Sequence, residues 1–191
     1  MTRDRHLILV KHAMPQVDVD TPAHLWRLRP EGVASARTLA ARLVTRYTPS
    51  KVVASLEPKA TETGTIIAER LGLPFATAEG LHEHDRRAAG FLGRAEFAAR
   101  MRDLFAQPDA VVFGSESASA ALTRFATVVD RVVNEDASGD IVIVGHGTVI
   151  SLFVAKRAEV DPTNLWSTLG LPSYISLELP SHRIIEIVPT I

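Results

Sequence analysis

Two segments far apart in the chain share one layout. Leu7-Ile8-Leu9-Val10-Lys11-His12-Ala13 and Ile141-Val142-Ile143-Val144-Gly145-His146-Gly147 are apolar runs that each stop at a histidine beside a small residue. Four consecutive aliphatic side chains suit a strand covered on both faces, as in a parallel sheet. A histidine ending such a strand stands at the carboxyl edge of the sheet, where open α/β folds build their sites. Two such histidines predict one shared site and an α/β architecture around it.

The rest of the chain supplies alternating elements. The first strand covers about His6 to Lys11 and leads into Met14 to Arg29, where Pro15, Pro22, Asp18 and Asp20 argue for an irregular loop over the site. Pro30 suits the first turn of a helix, and Val33, Ala36, Leu39, Ala40, Leu43 and Val44 recur at helical spacing up to about Tyr47. A short strand over 51–55 follows, then a helix opened by Pro58 and closed at Gly72, then a short strand over 74–78. Residues 79–93 form a charged connection. Helices are predicted over 94–106 and 116–135, the second started by Ser115 and carrying the stripe Ala118, Leu122, Phe125, Val128, Val129 and Val132. After the strand 140–145, a helix runs from Thr148 to about Ala158, and strands 174–179 and 183–188 are joined at Pro180-Ser181-His182. Trp166, Leu169 and Leu171 fit either core or a subunit contact. The alternation predicts a single domain over 1–191, an α/β/α three-layer sandwich with a mainly parallel sheet.

Composition excludes several functions. Lys+Arg of 21 against Asp+Glu of 22 gives a net charge of -1, without the positive field that draws nucleic acid. No stretch reaches the roughly 20 apolar residues of a membrane span, and the polar start Thr2-Arg3-Asp4-Arg5-His6 runs into the first strand without room for a signal peptide. A cytoplasmic protein is expected. The absence of cysteine removes disulfides, thiolate nucleophiles and Cys-ligated zinc. Only four of the 21 basic residues are lysines, Lys11, Lys51, Lys59 and Lys156, so lysine is an unusual choice in this chain.

With these pieces in order, the chain resembles the histidine phosphatase superfamily, the phosphoglycerate-mutase-like fold, over nearly its whole length. Lys11-His12-Ala13 stands where that family carries Arg-His-Gly. Ser55-Leu56-Glu57-Pro58-Lys59-Ala60-Thr61-Glu62-Thr63 reproduces its Ser-x-x-x-Arg-Ala-x-x-Thr frame with lysine in the arginine's place. Leu28-Arg29-Pro30-Glu31-Gly32, Gly114-Ser115-Glu116-Ser117 and Val144-Gly145-His146-Gly147 match as well. The resemblance implies a two-step phosphoryl transfer without metal or cofactor, in which His12 becomes a phosphohistidine and water collects the phosphoryl group. Neutral imidazole is a competent nucleophile near pH 7 when preorganised donors hold the outer phosphoryl oxygens. Lys11, Lys59 and His146 are the implied donors. Glu83 is the implied acid for the leaving oxygen, a role suited to a carboxyl with a raised pKa, and Asp85 is its neighbour and rival.

The lysines keep charge but lose arginine's bidentate fork, which opens a second class of function. A working phosphatase and a binding or regulatory protein that keeps the fold and its anion affinity are both consistent with the motif; a mutase-type phosphotransferase is a third reading that no feature favours. The expected ligand is a small phosphorylated substrate, or a phosphate or sulfate anion. Arg27, Arg29, Arg86 and Arg87 flank the site as candidates for a second anionic group, Arg86 being assigned to substrate binding. His82-Glu83-His84-Asp85 has the residue types of a metal site but no complementary ligand motif, so no metal is expected.

Overall fold

The computed structural model describes residues 4–90, 92–136 and 138–191; Thr2 and Arg3 of the polar start and Phe91 of the charged connection lie outside them. Strand β1, Arg5–Lys11, shows how alternation organises the molecule. Its side chains Leu7 to Val10 are all fully buried, yet Leu7 and Leu9 enter one hydrophobic cluster and Ile8 and Val10 another, because successive residues of a strand point to opposite faces. Helices cover both faces.

The first cluster takes in helices α3 (Arg94–Ala106), α4 (Ala118–Glu135), α5 (Gly147–Ala158) and α6 (Pro162–Thr168), with Phe125, Val129, Ile150, Phe153 and Leu165 at its centre. The second takes in α1 (Pro30–Arg46) and α2 (Pro58–Leu71) through Leu39, Ala40, Leu43 and Ile67. Between them lies one six-stranded sheet built from β1, β2 (Pro49–Ser55), β3 (Phe75–Ala78), β4 (Asp140–Gly145), β5 (Ser173–Leu179) and β6 (Ile184–Val188), in the order β3-β2-β4-β1-β5-β6. Strands β3, β2, β4 and β1 pair in parallel, and β5 runs antiparallel to both of its neighbours. This is the expected three-layer α/β/α arrangement with a mostly parallel sheet.

Local signals set most boundaries. Proline occupies the first turn of α1 and of α2, where its missing N–H costs nothing. Gly72 ends α2 at φ +65, a left-handed conformation natural to glycine, and its N–H reaches the carbonyls of Ala68 and Glu69. Two expectations are corrected. Helix α4 starts at Ala118 and is capped by Ser117, whose side chain accepts from Ala120 N, whereas Ser115 donates its N–H to Asp85 O at 2.7 Å in the turn before. The short helix α6 is additional; Asp161 caps it, and it sends Leu165 into the core and Trp166 against Phe97 and Phe105. Among the described residues no helix is long and apolar enough to cross a membrane.

For the site, the strand order is the main consequence. Residues Lys11↔Gly145 and Ala54↔Val144 are in register, so β1, β4 and β2 end side by side. The residues that leave those ends are His12, His146 and Ser55.

Candidate active site

His12 follows β1 directly and extends its ladder, donating its N–H to Gly145 O at 3.1 Å. The next N–H, of Ala13, donates to Thr63 Oγ1 at 3.0 Å, and that hydroxyl in turn donates to Lys59 O at 2.7 Å. The β1 end is thereby bolted to the first turns of α2. His12 is 7 % exposed, and its Nδ1 lies 2.8 Å from Ala13 O. A carbonyl accepts only, so Nδ1 carries the hydrogen and Nε2 keeps the lone pair. Burial, then the neighbouring His146 and Lys59, hold the ring's pKa well below the ordinary histidine value, with Lys11 adding and the Ala13 hydrogen bond opposing. His12 is a neutral imidazole.

His146 stands as N-cap of α5 with its ring centroid 5.3 Å from that of His12 in an edge-on arrangement. Its Nε2 is 3.0 Å from Ser55 Oγ and 3.7 Å from Glu57 Oε1, while Nδ1 is buried without a partner. Burial and Lys59 push its pKa well below the ordinary value against the opposing pull of Glu83.

Two ammonium groups flank the histidines. Lys11 Nζ donates to Leu169 O at 2.6 Å and packs on Gly147, where a Cβ would lie 3.1 Å from Lys11 Cε. Burial lowers its pKa, with Glu83 opposing and Arg86 adding. Lys59, only 6 % exposed, donates to Ala23 O at 2.7 Å and to Glu57 Oε2 at 2.6 Å. Its backbone N–H also meets Trp26 O at 3.1 Å, so the expected loop over the site, tightened by a short 3-10 turn at Ala23–Leu25, closes on this lysine.

Glu83 sits over the N-terminus of α5. Its Oε2 accepts from Thr148 N at 3.2 Å and its Oε1 from His84 N at 2.8 Å, with Arg86 3.6 Å away. Burial alone would raise this carboxyl's pKa, but Arg86, His146 and the two backbone N–H groups overcome it and hold the pKa at about 2. Glu83 is therefore an anion here, and the raised pKa expected of a leaving-group acid is corrected. Asp85 turns outward to a two-point pair with Arg87 at 2.9 and 2.5 Å. Arg86 stacks its guanidinium 4.7 Å over the Phe97 ring centre and, among the described residues, makes long contacts to Thr148 Oγ1 and Glu83. Arg27, Arg29 and Arg87 are spent on Glu62, Glu31 and Asp85.

The His82–Asp85 run diverges: His84 is buried against Phe113 and bonded to Glu116 O. Among the described residues no three His, Asp or Glu side chains converge on a metal position. The six candidates His12, His146, Lys11, Lys59, Glu83 and Arg86 do gather at the strand ends. The residue that sequence reasoning left without a role is Glu57. It lies inside the Ser55–Thr63 frame and meets Lys59 two residues on, but its contacts with His146 and with Glu83 N at 3.0 Å exist only once the ends of β2, β3 and β4 are aligned.

A mostly parallel sheet between two helical layers is the architecture this chain shares with phosphoglycerate-mutase-like proteins. The chain belongs to the histidine phosphatase superfamily (branch 1), whose family model matches residues 7–184. Among solved structures it is similar to a mycobacterial hydrolase with TM-score 0.78 and 21% identity, covering 99% of this chain and 100% of that one. A mycobacterial glucosyl-3-phosphoglycerate phosphatase gives 0.77 and 21%, with the same coverage. A mutant phosphoserine phosphatase from Entamoeba histolytica, in complex with phosphoserine, gives 0.75 and 17% over 96% of both chains. At these identities the likeness is one of fold. Comparison with curated proteins gives no match.

Proposed function

We propose that this chain hydrolyses small phosphate monoesters through a phosphohistidine on His12. The observation that carries the reading is the state of that imidazole: neutral, with Nδ1 committed to Ala13 O and Nε2 unprotonated, beside His146, Lys59 and Lys11. In the first step Nε2 bonds to phosphorus as the ester P–O bond breaks, and the three cradle residues hold the outer oxygens. The departing oxygen takes its proton from Glu83. An entering phosphoryl group draws on the cations that keep Glu83 ionised in the free protein, so the carboxyl takes up a proton from solvent as substrate binds and holds it for the departing oxygen. Water then attacks the phosphohistidine and returns a proton to Glu83, and inorganic phosphate leaves.

Lys11 and Lys59 standing in place of the superfamily's signature arginines belong to this reading. Ligands of the fold neighbours support it: the mycobacterial phosphatase has been solved with VO3 and with inorganic phosphate, and the Entamoeba enzyme with phosphoserine and with 3-phosphoglyceric acid. The test is turnover of a phosphomonoester panel by wild type and His12→Ala in EDTA, with trapping of acid-labile phosphoprotein. Turnover and label that vanish together in the variant are expected; equal rates in both proteins would overturn the mechanism.

One observation favours a second reading, a phosphate-binding protein without useful catalysis. Both ammonium groups already hold protein carbonyls, and Lys59 a carboxylate as well. Oxyanion binding with no turnover in either protein, over the whole panel, is its signature.

A further inference from the structure

The cradle contains its own anion. Glu57 begins at the turn between β2 and α2, its side chain is 11 % exposed, and its two oxygens are shared among three elements. Oε2 accepts from Lys59 Nζ at 2.6 Å; Oε1 accepts from Glu83 N at 3.0 Å and lies 3.7 Å from His146 Nε2. Lys59 and His146 are the donors that must both face a bound phosphoryl group. Any oxyanion gripped by the two therefore meets the Glu57 carboxylate, and two anions in contact at a largely buried site do not both remain fully ionised.

We propose that Glu57 makes anion capture proton-coupled: the oxyanion held by Lys59 and His146 lies against the Glu57 carboxylate and binds together with one proton shared between them. The inference rests on reading this cluster as an oxyanion cradle. It adds a specificity, since a phosphoryl group that brings its own P–OH donates to Glu57, whereas a full dianion needs a proton from solvent. The site is thus selective for the monoanion of a phosphomonoester. The charged and titratable groups facing Glu57 are Lys59 from α2, His146 from the start of α5, and His82, Glu83 and Arg87 from the segment after β3. Of these, Arg87 stays cationic through neutral pH, and Glu83 stays anionic in the absence of ligand. His146, His82 and, once an oxyanion is bound, Glu83 are the groups whose own proton uptake must be separated from that of Glu57.

Sulfate as the probe excludes the ligand's own protons, because it does not titrate near neutrality and any proton taken up on binding belongs to the protein; the variants then separate the protein groups. Calorimetry in two buffers of different ionisation enthalpy, between about pH 6 and about pH 8, counts those protons for wild type, Glu57→Gln and His82→Asn. Gln keeps an oxygen for Lys59 and removes the charge. Wild type is expected to take up about one proton more than Glu57→Gln and to lose affinity about tenfold more per pH unit as pH rises. His82→Asn should retain that uptake. Zero uptake by wild type overturns the inference without any variant. Equal uptake in wild type and Glu57→Gln, or its loss in His82→Asn, assigns the proton elsewhere and overturns it too. No sulfate binding by wild type at any pH removes the cradle reading itself.

Discussion

Gly147→Ala separates the stability of this site from its chemistry. The new Cβ would lie 3.1 Å from Lys11 Cε, 3.3 Å from Nζ and 3.4 Å from Cδ, so the lysine must give way by a few tenths of an ångström. Its Nζ is pinned at 2.6 Å to Leu169 O, short enough that such a shift leaves the hydrogen bond made. Gly147 opens α5 in helical conformation, where alanine gains about 0.4–1 kcal/mol through the unfolded chain. The gain and the overlap roughly cancel, so stability should stay within about 1 kcal/mol of wild type, or about 2–4 °C in melting temperature for a chain of this size. Activity is another matter. A misplaced donor at a phosphoryl group costs on the order of 10- to 100-fold in rate. We expect kcat/KM on a phosphomonoester, or vanadate affinity if turnover is absent, to fall by that factor at nearly unchanged melting temperature. The Lys11→Met background provides the control, since Gly147→Ala should then have no further effect on rate. Full activity in Gly147→Ala, or an equal loss with and without Lys11, would refute the placing of Nζ in the cradle.

Two other outcomes follow from the electrostatics. His12 and His146 both have folded pKa values below the ordinary 6.5, so their stabilising neutral states are fully present above about pH 6.5 and are lost as pH falls below it, when only the unfolded chain takes up protons. Urea unfolding should show stability falling toward acid with a slope approaching about 1.4 kcal/mol per pH unit for each histidine, and His12→Asn should remove one histidine's share; an unchanged slope would count against the buried neutral ring. Glu83→Gln should cost on the order of 100- to 10,000-fold in turnover of alkyl phosphates but far less with a nitrophenyl leaving group, which departs without a proton; equal losses on both substrates would deny Glu83 the acid role.

What was legible in the chain is what local chemistry encodes. The two aliphatic runs ending in histidine announced their strands and their common edge, and Pro30, Pro58 and Gly72 marked helix ends by backbone preferences that need no tertiary contact. Helix α6 was hidden because seven residues are too few to display a period, although Asp161-Pro162 does carry the start signal. The misplaced start of α4 came from two serines two residues apart; Asp85 O, thirty residues upstream, decides between them by claiming the Ser115 N–H. The state of Glu83 was the least legible. Burial, foreseeable for a residue of the site, argued for a raised pKa, and the contacts that reverse it depend on Arg86 lying over Phe97 and on Thr148 N–H arriving from α5.

The charges around His12 explain why its burial is both the asset and the weakness of this site. Lys11, Lys59 and Arg86 face Glu57 and Glu83, three cations against two anions, so the cradle has a small excess of positive charge and neither histidine need be protonated to balance it. An exposed histidine with the same neighbours would titrate near its ordinary value and be partly cationic, hence partly without its nucleophilic lone pair, at the acid side of neutrality. Burial, together with the neighbouring His146, keeps Nε2 unprotonated there. The same burial withdraws the ring from protons that the unfolded chain accepts, so a site built to be nucleophilic at neutral pH is by that fact destabilised by acid. Exposing His12 to solvent should therefore blunt the acid sensitivity of folding and lower activity below neutrality together, because both trace to one desolvated imidazole.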